Sequence, residues 1–400
     1  MAEIEFSFIA DDPVRIGTLQ SALTEFEGRS RVKVRARVFP WATAWEELFK
    51  IVVSEAGPDV SEIGTTWLSS LVSMNALRPF SGQEVAALGG PSVFVPAAWQ
   101  SGSVRNNVGA WVIWAIPYTT DPWVLYYRRD LLAQAGIDEQ AAFQTLERLE
   151  GTLHRLQESG MPSPWVIPTV QSYVALHALA HWVWGAGGHF IRADGKRTRF
   201  NEPEARAGML ACFRLHRYIA PAARNLDAAQ VTELFRMGGV AVALAGHWLL
   251  DTMRQGGAAP VVSANLGLAI PPGVPFVGGT GLVLWRHCRH VREAVELVRF
   301  LSSDQAQAKY GVQIGLPTRL AALERPPFTT DPGYKVIGQS LRIGRGFQAT
   351  YMWGLVEEKL TAAVAELWAE VFANPDIDLE AVIAERMGAL AARLDSILSG

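Results

Sequence analysis

Tryptophan residues that stand beside small polar or acidic residues are the strongest chemical signal in this 400-residue chain, which has 14 Trp against 8 Tyr. Trp67 follows a Gly-Thr-Thr turn, and Asp121 and Trp123 lie together in the segment YTTDPW. An indole offers a flat apolar face, while a carboxylate or hydroxyl can hold a polar rim. A few hydrogen bonds to charged groups, about 1.5–3 kcal/mol each, reach the ~8 kcal/mol of micromolar binding. These segments therefore combine flat apolar surfaces with hydrogen-bonding groups, as a site for a small polar molecule requires.

Other aromatic residues at predicted loops extend this set of candidates. Trp248, with His247 before it, follows a short apolar run, and Trp41 comes directly after a proline. Trp184 precedes an AGGH turn, and Trp353 follows the glycine-rich segment RGF. Large aromatic residues are more often core residues than ligand contacts, and a single histidine is more often solvated. Each candidate therefore keeps a packing interpretation beside the binding interpretation.

Small and acidic candidates have local explanations as well. Asp12 stands before a proline that would open a helix, so it could be an N-cap rather than a ligand contact. Thr66 could likewise cap a helix, and Asp121 could cap a turn with the next proline. Gly279 and Thr280 lie in a flexible GGT turn whose backbone can approach a ligand closely.

Metal and nucleophile chemistry are less well supported. His177 and His181 are four residues apart, with His189 nearby, but the glutamate of a zinc-protease helix does not follow His177. Cys212 and Cys288 are the only cysteines, and their separation fits neither a metal-ligand spacing nor a disulfide framework. We predict that the chain has no catalytic residue, no metal and no cofactor.

Composition limits the class of protein. Apolar residues make up 49% and charged residues 19% of the chain, which is ordinary globular composition. The net charge of −3 and the scattered arginines argue against nucleic acid as a partner. The length predicts two domains, and no apolar run approaches the ~20 residues that cross a bilayer.

The elements that would position these residues follow an α/β rhythm. Ile4, Phe6 and Phe8 alternate as in a strand, and a helical face follows from residue 16 to 26. Residues 31–38 alternate with their apolar side chains on one face. The order strand, helix, strand, helix predicts a mainly parallel sheet flanked by helices.

Later segments continue this pattern. Residues 45–55 and 139–160 are predicted helices, the second ending at a glycine. Residues 240–245 and 266–270 are predicted to form a strand pair. Helical spacing returns over residues 291–301 and 356–371.

Several segments together resemble a known family. They are GPDVSEIGTTWLSSLVSMNALRPF (57–80), AIPYTTDPWVLYYRRDLLAQAGID (115–138), LFRMGGVAVALAGHWLL (234–250), VPFVGGTGLVLW (274–285) and VELVRFLSSDQAQAKYGVQIGLPTR (295–319), with the tail from GRGFQATYMWGLVEEKL (344–360). In this order and spacing they resemble the extracellular solute-binding proteins, family 1, of carbohydrate ABC transporters, a group that includes maltose-binding and multiple-sugar-binding proteins. The resemblance covers nearly the whole chain.

The resemblance implies the two-lobed periplasmic-binding-protein fold, type II-like, with a ligand cleft between α/β lobes and hinge closure. Carried onto this chain, it implies a first lobe of residues 1–117 and 271–317 and a second lobe of residues 118–270 and 318–400. It also implies an aromatic ring at Trp248 against the sugar face, backbone N–H contacts at the turn of residues 278–280, and a carboxylate at Asp121.

The function implied is that of the substrate-binding component of an ABC importer, which is not an enzyme. We expect a neutral mono- or oligosaccharide as ligand, membrane permease subunits as partners and a monomer. The start MAEIEFSFIA lacks the basic and apolar segments of an export signal, so the protein is either cytosolic or has lost a leader. The resemblance favours the second case, a periplasmic or extracellular protein or a membrane-anchored lipoprotein.

Two alternatives stay open. A carbohydrate-active enzyme usually needs two carboxylates at a defined separation, and the aromatic loops offer Asp121 with no obvious partner. The same fold could instead bind a polyol, an amino acid derivative or a polyamine. Because the aromatic loops have few carboxylates and arginines, a neutral ligand fits them better.

Overall fold

The computed structural model describes residues 2–105 and 110–399. The strands are β1 (Glu3–Ile9), β2 (Lys33–Phe39), β3 (Val60–Gly64), β4 (Leu77–Arg78), β5 (Ser103–Arg105), β6 (Trp111–Ile113), β7 (Ala115–Pro122), β8 (Val124–Arg128), β9 (Trp165–Val166), β10 (Val242–Ala245), β11 (Leu266–Ala269), β12 (Val277–Trp285) and β13 (Leu316–Pro317). The helices are α1 (Pro13–Ser30), α2 (Trp41–Ser54), α3 (Leu68–Ser73), α4 (Gly82–Ala87), α5 (Pro96–Ser101), α6 (Arg129–Gln134), α7 (Leu146–Glu158), α8 (Tyr173–Gly185), α9 (Pro203–Arg214), α10 (Ala228–Arg236), α11 (Trp248–Arg254), α12 (Pro260–Ala264), α13 (Val291–Leu301), α14 (Asp304–Ile314), α15 (Pro332–Ile343), α16 (Trp353–Ala373) and α17 (Leu379–Leu398).

The first of two structural units comprises residues 1–121, 277–330 and 346–354. Its main sheet has the strand order β13-β7-β12-β3-β1-β2, and β4 also pairs with β12. Strand β1 runs parallel to both β2 and β3, whereas β12 runs antiparallel to β3. The carboxyl ends of β1, β2 and β3 therefore lie at one edge of the sheet, and the loops that follow them emerge there.

The second unit comprises residues 122–276, 331–345 and 355–400. Its sheet has the order β11-β8-β10-β9. Strands β10 and β11 both run antiparallel to β8, and only β9 is parallel to its neighbour β10. The predicted α/β class is confirmed, but the prediction of mainly parallel sheets is wrong in detail. A run of apolar residues predicts a strand without fixing its direction, so the sequence pattern could not reveal these mixed sheets.

The start of the chain folds as its sequence pattern indicates. Strand β1 buries Phe6 and Phe8, and α1 packs Leu23 and Phe26 into the same core. Helix α1 begins after Asp12, whose Oδ1 accepts a hydrogen bond from the backbone N of Arg15 at 2.8 Å. An N-cap of this kind satisfies one of the free N–H groups of the first helical turn.

Strand β2, predicted from its alternation, is an edge strand with both faces largely exposed, and Val38 retains 39% exposure. Two local predictions need correction. The helix predicted from residue 139 begins only at Leu146, because Thr145 caps it. The strands around 242–245 and 266–269 do not pair with each other; both pair with β8.

The unit boundaries differ from the predicted lobes at their edges. Residues 118–121, 318–330 and 346–354 fall in the first unit, and residues 271–276 fall in the second. The lobe assignment itself stays a prediction. Within the described residues, no helix combines the length and the apolar character needed to span a membrane.

Candidate functional site

Three half-buried tryptophans stand together in the first unit, where β2 and β3 end. Trp41 is the first residue of α2, and Trp67 closes a 3-10 turn that follows β3. The ring centroids of Trp41 and Trp67 are 5.8 Å apart with an interplanar angle of 61°, and Trp45 also lies 5.8 Å from Trp67. Each pair is in the range of edge-to-face and tilted aromatic contacts. The three indoles thus remain only partly buried at the edge where strand carboxyl ends meet.

The position of Trp67 depends on a glycine. A Cβ on Gly64 would lie 3.2 Å from the Trp67 ring, so the last residue of β3 leaves space for the indole to fold back over the strand. Thr66 is half-buried beside it in the 3-10 turn. Neither this turn nor α3 begins with a side-chain cap hydrogen bond, so the capping role considered for Thr66 is not found.

The loop after β1 supports the same edge of the sheet. Asp12 is the N-cap of α1, as its alternative explanation required, and is half-buried. The preceding Asp11 accepts a hydrogen bond from the backbone N of Trp41 at 3.1 Å. This contact ties the loop after β1 to the tryptophan that starts α2. Asp121 is also half-buried and lies near the end of β7.

Glu62 is the central polar residue of this region and has 0% exposure in the middle of β3. Its Oε1 accepts hydrogen bonds from Arg15 Nη2 and from Thr280 Oγ1, the latter at 2.7 Å, and its Oε2 accepts one from the backbone N of Ile9 at 3.0 Å. The hydroxyl of Thr280 also lies 2.8 Å from that of Thr119. Burial disfavours the charge on Arg15, but the adjacent Glu62 carboxylate leaves the net pKa of the guanidinium raised. A charged pair thus joins α1, β1, β3 and β12.

The predicted turn at Gly279 and Thr280 is part of the regular strand β12. Thr280 is buried and uses its hydroxyl within the protein, through Glu62 and Thr119. Gly279 has φ of +130°, and a Cβ on it would lie 2.1 Å from the carbonyl oxygen of Thr119. Close packing between strands therefore explains this glycine. The predicted contact of its backbone with a ligand stays a prediction.

In the second unit, Trp248 is a half-buried ring with an anchored edge. It begins α11 directly after β10 and its turn. Its Nε1 donates a hydrogen bond to Thr232 Oγ1 at 3.1 Å, and its ring meets Trp123 edge-to-face at 5.4 Å and 79°. Because the polar edge and one side are held by the protein, the remaining ring surface is left for other contacts. His247, the preceding residue, is half-buried, with Nε2 3.5 Å from Asp251 Oδ2.

Trp123 supports Trp248 from inside and has 0% exposure. It contacts His177, His181 and Phe276, each at a ring-centroid distance of about 6.1–6.3 Å. Among the described residues, its Nε1 is buried without a hydrogen-bond partner. Trp123 is thus positioned as a support for the exposed ring.

The histidine pair is part of this aromatic packing. Burial lowers the pKa of His177 to about 3, and burial together with His177 lowers that of His181 to about 3. Both rings are therefore neutral at pH 7, so the 4.0 Å approach of His177 to Glu357 is not an ion pair. His177 stacks on Phe276 at 4.1 Å, and His181 Nδ1 accepts a hydrogen bond from the Phe276 backbone N at 3.3 Å. Over residues 2–105 and 110–399, no three His, Cys, Asp or Glu residues are grouped so as to hold a metal.

Besides Trp123, two further predicted tryptophans are buried. Trp184 is 5% exposed, stacks on Phe276 at 6.1 Å and 13°, and lies under the guanidinium of Arg345 at 5.2 Å. Trp353 is 1% exposed and stacks on Phe347 at 4.7 Å. Their ligand contacts stay predictions, and the packing alternative accounts for the positions that the structure shows.

The sequence analysis did not single out two residues that the structure brings to these regions. Trp45 completes the tryptophan cluster, and its signal was the W-x-x-x-W spacing with Trp41 on one helix. Glu62 was detectable as an acid inside the apolar strand VSEIG.

Comparison with known proteins defines the class. Residues 12–308, more than half of the chain, match the family described as "Bacterial extracellular solute-binding protein". The chain therefore belongs to the bacterial extracellular solute-binding protein family, and the family resemblance predicted from its sequence is confirmed.

Individual relatives are distant. A "Probable ABC transporter-binding protein" of Deinococcus radiodurans is 26% identical over 245 residues, which span 58% of this chain and 57% of that protein. The structure is similar to the sugar-binding protein MalE from Xanthomonas citri, with a TM-score of 0.82 and 20% identity over 100% of this chain and 98% of the other. It is also similar to an ABC transporter solute-binding protein from Thermotoga lettingae bound with α-D-tagatose, with a TM-score of 0.80, 17% identity and 100% coverage of both chains. These likenesses confirm the α/β fold of the two-lobed solute-binding proteins.

Proposed function

We propose that this protein is the substrate-binding component of an ABC importer and that it binds a neutral mono- or oligosaccharide. The observation that carries the proposal is the presence, in each unit, of half-buried indoles that the protein holds in place directly after strand ends. In open α/β folds, ligands bind at the carboxyl ends of strands. A sugar presents C–H groups on its ring faces, which match an indole face, and hydroxyl groups at its rim.

The proposed surface of the first unit consists of Trp41, Trp45 and Trp67, and that of the second unit is Trp248. Asp121 is the proposed carboxylate that accepts hydrogen bonds from sugar hydroxyls. An ionised acceptor makes stronger hydrogen bonds than a neutral one, which suits recognition of a hydroxyl in water.

The hydrogen bonds and the ion pair of the acidic residues near the first unit's tryptophans support a neutral ligand. Asp11 and Asp12 accept hydrogen bonds from backbone N–H groups, and Glu62 is paired with Arg15. These carboxylates are engaged by the protein, so they add little attraction for a cationic ligand such as a polyamine. We therefore propose an uncharged sugar rather than a polyamine or an amino acid derivative.

The experiment is a thermal-shift screen of neutral mono- and disaccharides, followed by calorimetry on those that bind. A ligand that binds only the folded state raises its melting temperature, by mass action. We expect Trp248→Ala and Asp121→Ala each to abolish the shift, although both variants still fold and unfold cooperatively. The control is Trp111→Ala, which removes a 45% exposed indole from β6, outside the proposed surfaces. Unaltered affinity in both site variants would place the ligand elsewhere.

Further parts of the proposal follow from the family. Its members are binding proteins, and we propose that this chain releases its sugar chemically unchanged to permease subunits in the membrane. We also propose that it acts as a monomer, without nucleic acid, in the periplasm or outside the cell, free or with a lipid anchor. Incubation with oligosaccharides and chromatography of the products tests the absence of catalysis, since shorter products would show an enzyme.

A further inference from the structure

The buried carboxylate of Glu62 lies among three chain segments next to the proposed ligand surface of the first unit. It lies in β3, two residues before Gly64 and the turn that holds Thr66 and Trp67. It accepts from the backbone N of Ile9, the last residue of β1, and from the hydroxyl of Thr280 in β12. Its position therefore relates the loop after β1, the turn after β3 and the middle of β12 to one another.

The contact continues to a fourth segment. Thr280 donates to Glu62, so its oxygen is left to accept the hydroxyl of Thr119, 2.8 Å away in β7. Asp121 follows Thr119 by two residues in that strand. The chain of hydrogen bonds from Glu62 through Thr280 to Thr119 thus reaches the strand of the proposed sugar-binding carboxylate.

A buried ion pair contributes little net stability to a protein core. Removing a carboxylate and a guanidinium from water carries a desolvation penalty that the ion pair often fails to recover, and apolar residues can provide equal or better stability. Glu62 has 0% exposure, and the side chain of Arg15 is only 13% exposed. The benefit of this pair must therefore lie largely in geometry, because a carboxylate accepts from several fixed directions at once.

The identity of the three donors makes a glutamine a poor substitute. Ile9 offers a backbone N–H to Oε2, and Arg15 offers a guanidinium N–H to Oε1; neither group can accept a hydrogen bond. A glutamine has only one oxygen, so in either orientation its NH₂ group faces one of these two donors. The site therefore requires both oxygens of an ionised carboxylate.

We infer that Glu62 is a positioning residue for ligand binding: it fixes the loop after β1, the turn of Thr66 and Trp67, and the strand of Thr280 in the arrangement that the ligand meets. This inference rests on the proposed function, because it assigns Glu62 a role in the same sugar site. Glu62 itself does not touch the ligand; it acts through the residues that it holds.

A matched control exists in the same sheet. Glu5 in β1 is also a nearly buried carboxylate, and it pairs with Arg35 and Arg37 on the edge strand β2. These partners belong to strand interiors and not to the loops at the carboxyl ends. Glu5→Gln therefore removes a buried negative charge from the same sheet without releasing the proposed ligand segments.

The test compares Glu62→Gln with Glu5→Gln by calorimetry with a sugar that the wild type binds, and by hydrogen exchange of the unliganded proteins. We expect Glu62→Gln to weaken affinity at least tenfold and Glu5→Gln less than twofold. We also expect amide exchange at residues 9–12 and 64–67 to accelerate at least tenfold in Glu62→Gln only. A double variant, Arg15→Met with Glu62→Gln, removes the unpaired cation and should regain thermal stability without regaining affinity.

The results of these measurements distinguish the proposed function from the positioning role of Glu62. A wild type that binds no neutral sugar contradicts the proposed function, and the exchange measurement then still decides whether Glu62 orders these segments. A wild type that binds sugar, with unchanged affinity and unchanged local exchange in Glu62→Gln, overturns the inference. Equal effects of Glu62→Gln and Glu5→Gln at equal loss of melting temperature would also overturn it, since they would reflect general destabilisation.

Discussion

Gly279 distinguishes a packing role from a ligand role, because the two predict different results for Gly279→Ala. The residue has φ of +130°, a region that costs an L-residue about 1–3 kcal/mol. Its new Cβ would lie 2.1 Å from the Thr119 carbonyl oxygen and 2.8 Å from the Thr120 Cα, so β7 and β12 must separate. Overpacking of this kind typically costs another ~1–3 kcal/mol. The two effects together lower the free energy of unfolding by about 2–6 kcal/mol.

The assay is thermal and urea unfolding of the unliganded protein. For a unit of this size each kcal/mol moves the melting temperature by roughly 2–4 °C, so we expect a decrease of at least about 4 °C. The control is Gly17→Ala in α1, where a Cβ would have no neighbour within 4 Å and the helix should gain about 0.5–1 kcal/mol. If Gly279→Ala keeps the wild-type melting temperature and only loses affinity, the packing explanation is wrong and the glycine serves the ligand.

Three further predictions test other parts of the structure. Thr232→Val breaks the hydrogen bond that anchors Trp248 Nε1 but leaves the indole, so we expect calorimetry to show a loss of affinity of about fivefold or less, against complete loss in Trp248→Ala. Burial holds the pKa of His177 and His181 near 3 in the folded state, whereas the unfolded chain takes up protons below about pH 6.5, so stability should fall as the pH drops from 7 to 5. At pH 5 the cost is about 2 kcal/mol per histidine, so in urea unfolding the loss of stability of His177→Phe between pH 7 and 5 should be smaller than that of the wild type by about 2 kcal/mol. Burial, with a contribution from a nearby aspartate, raises the pKa of the half-buried Cys288 thiol to about 12, so a thiol reagent at pH 8 should label it much more slowly in the native protein than after unfolding; equal rates would contradict this.

Local elements of the fold could be predicted where the sequence signal and the structural cause are both local. The alternation of Phe6 and Phe8 predicts β1 because one side of that strand meets the core. Asp12 with a following proline predicts the start of α1, and the cap hydrogen bond is present. Thr145 provides the same kind of signal, and the structure shows that it starts α7 seven residues later than helical spacing had indicated. Caps are therefore better guides to helix starts here than periodicity.

The direction and the partners of strands could not be predicted, because they depend on contacts between distant parts of the chain. Strand β8 pairs with both β10 and β11, although more than a hundred residues separate it from them. The hydrogen bond between Glu62 and Thr280 spans 218 positions. Nothing in the segment VSEIG specifies that its acid meets an arginine of α1 and a threonine of β12. The family resemblance gave the fold class, but these contacts required coordinates.

The tryptophans show why the composition alone could not define the site. Trp285 has 1% exposure and donates its Nε1 to Ser61 inside the first unit's core, and Trp123 is entirely buried. Trp67 and Trp248 are half-buried, although they come shortly after a strand just as the buried Trp123 does. The difference arises from what lies beneath each ring: Gly64 leaves space under Trp67, and Trp123 fills the space under Trp248. A ring supported from below keeps its orientation without a ligand, and a preorganised surface binds at a lower entropic cost. Trp123 thus holds the half-buried Trp248 in place, which would favour binding at the proposed surface of the second unit.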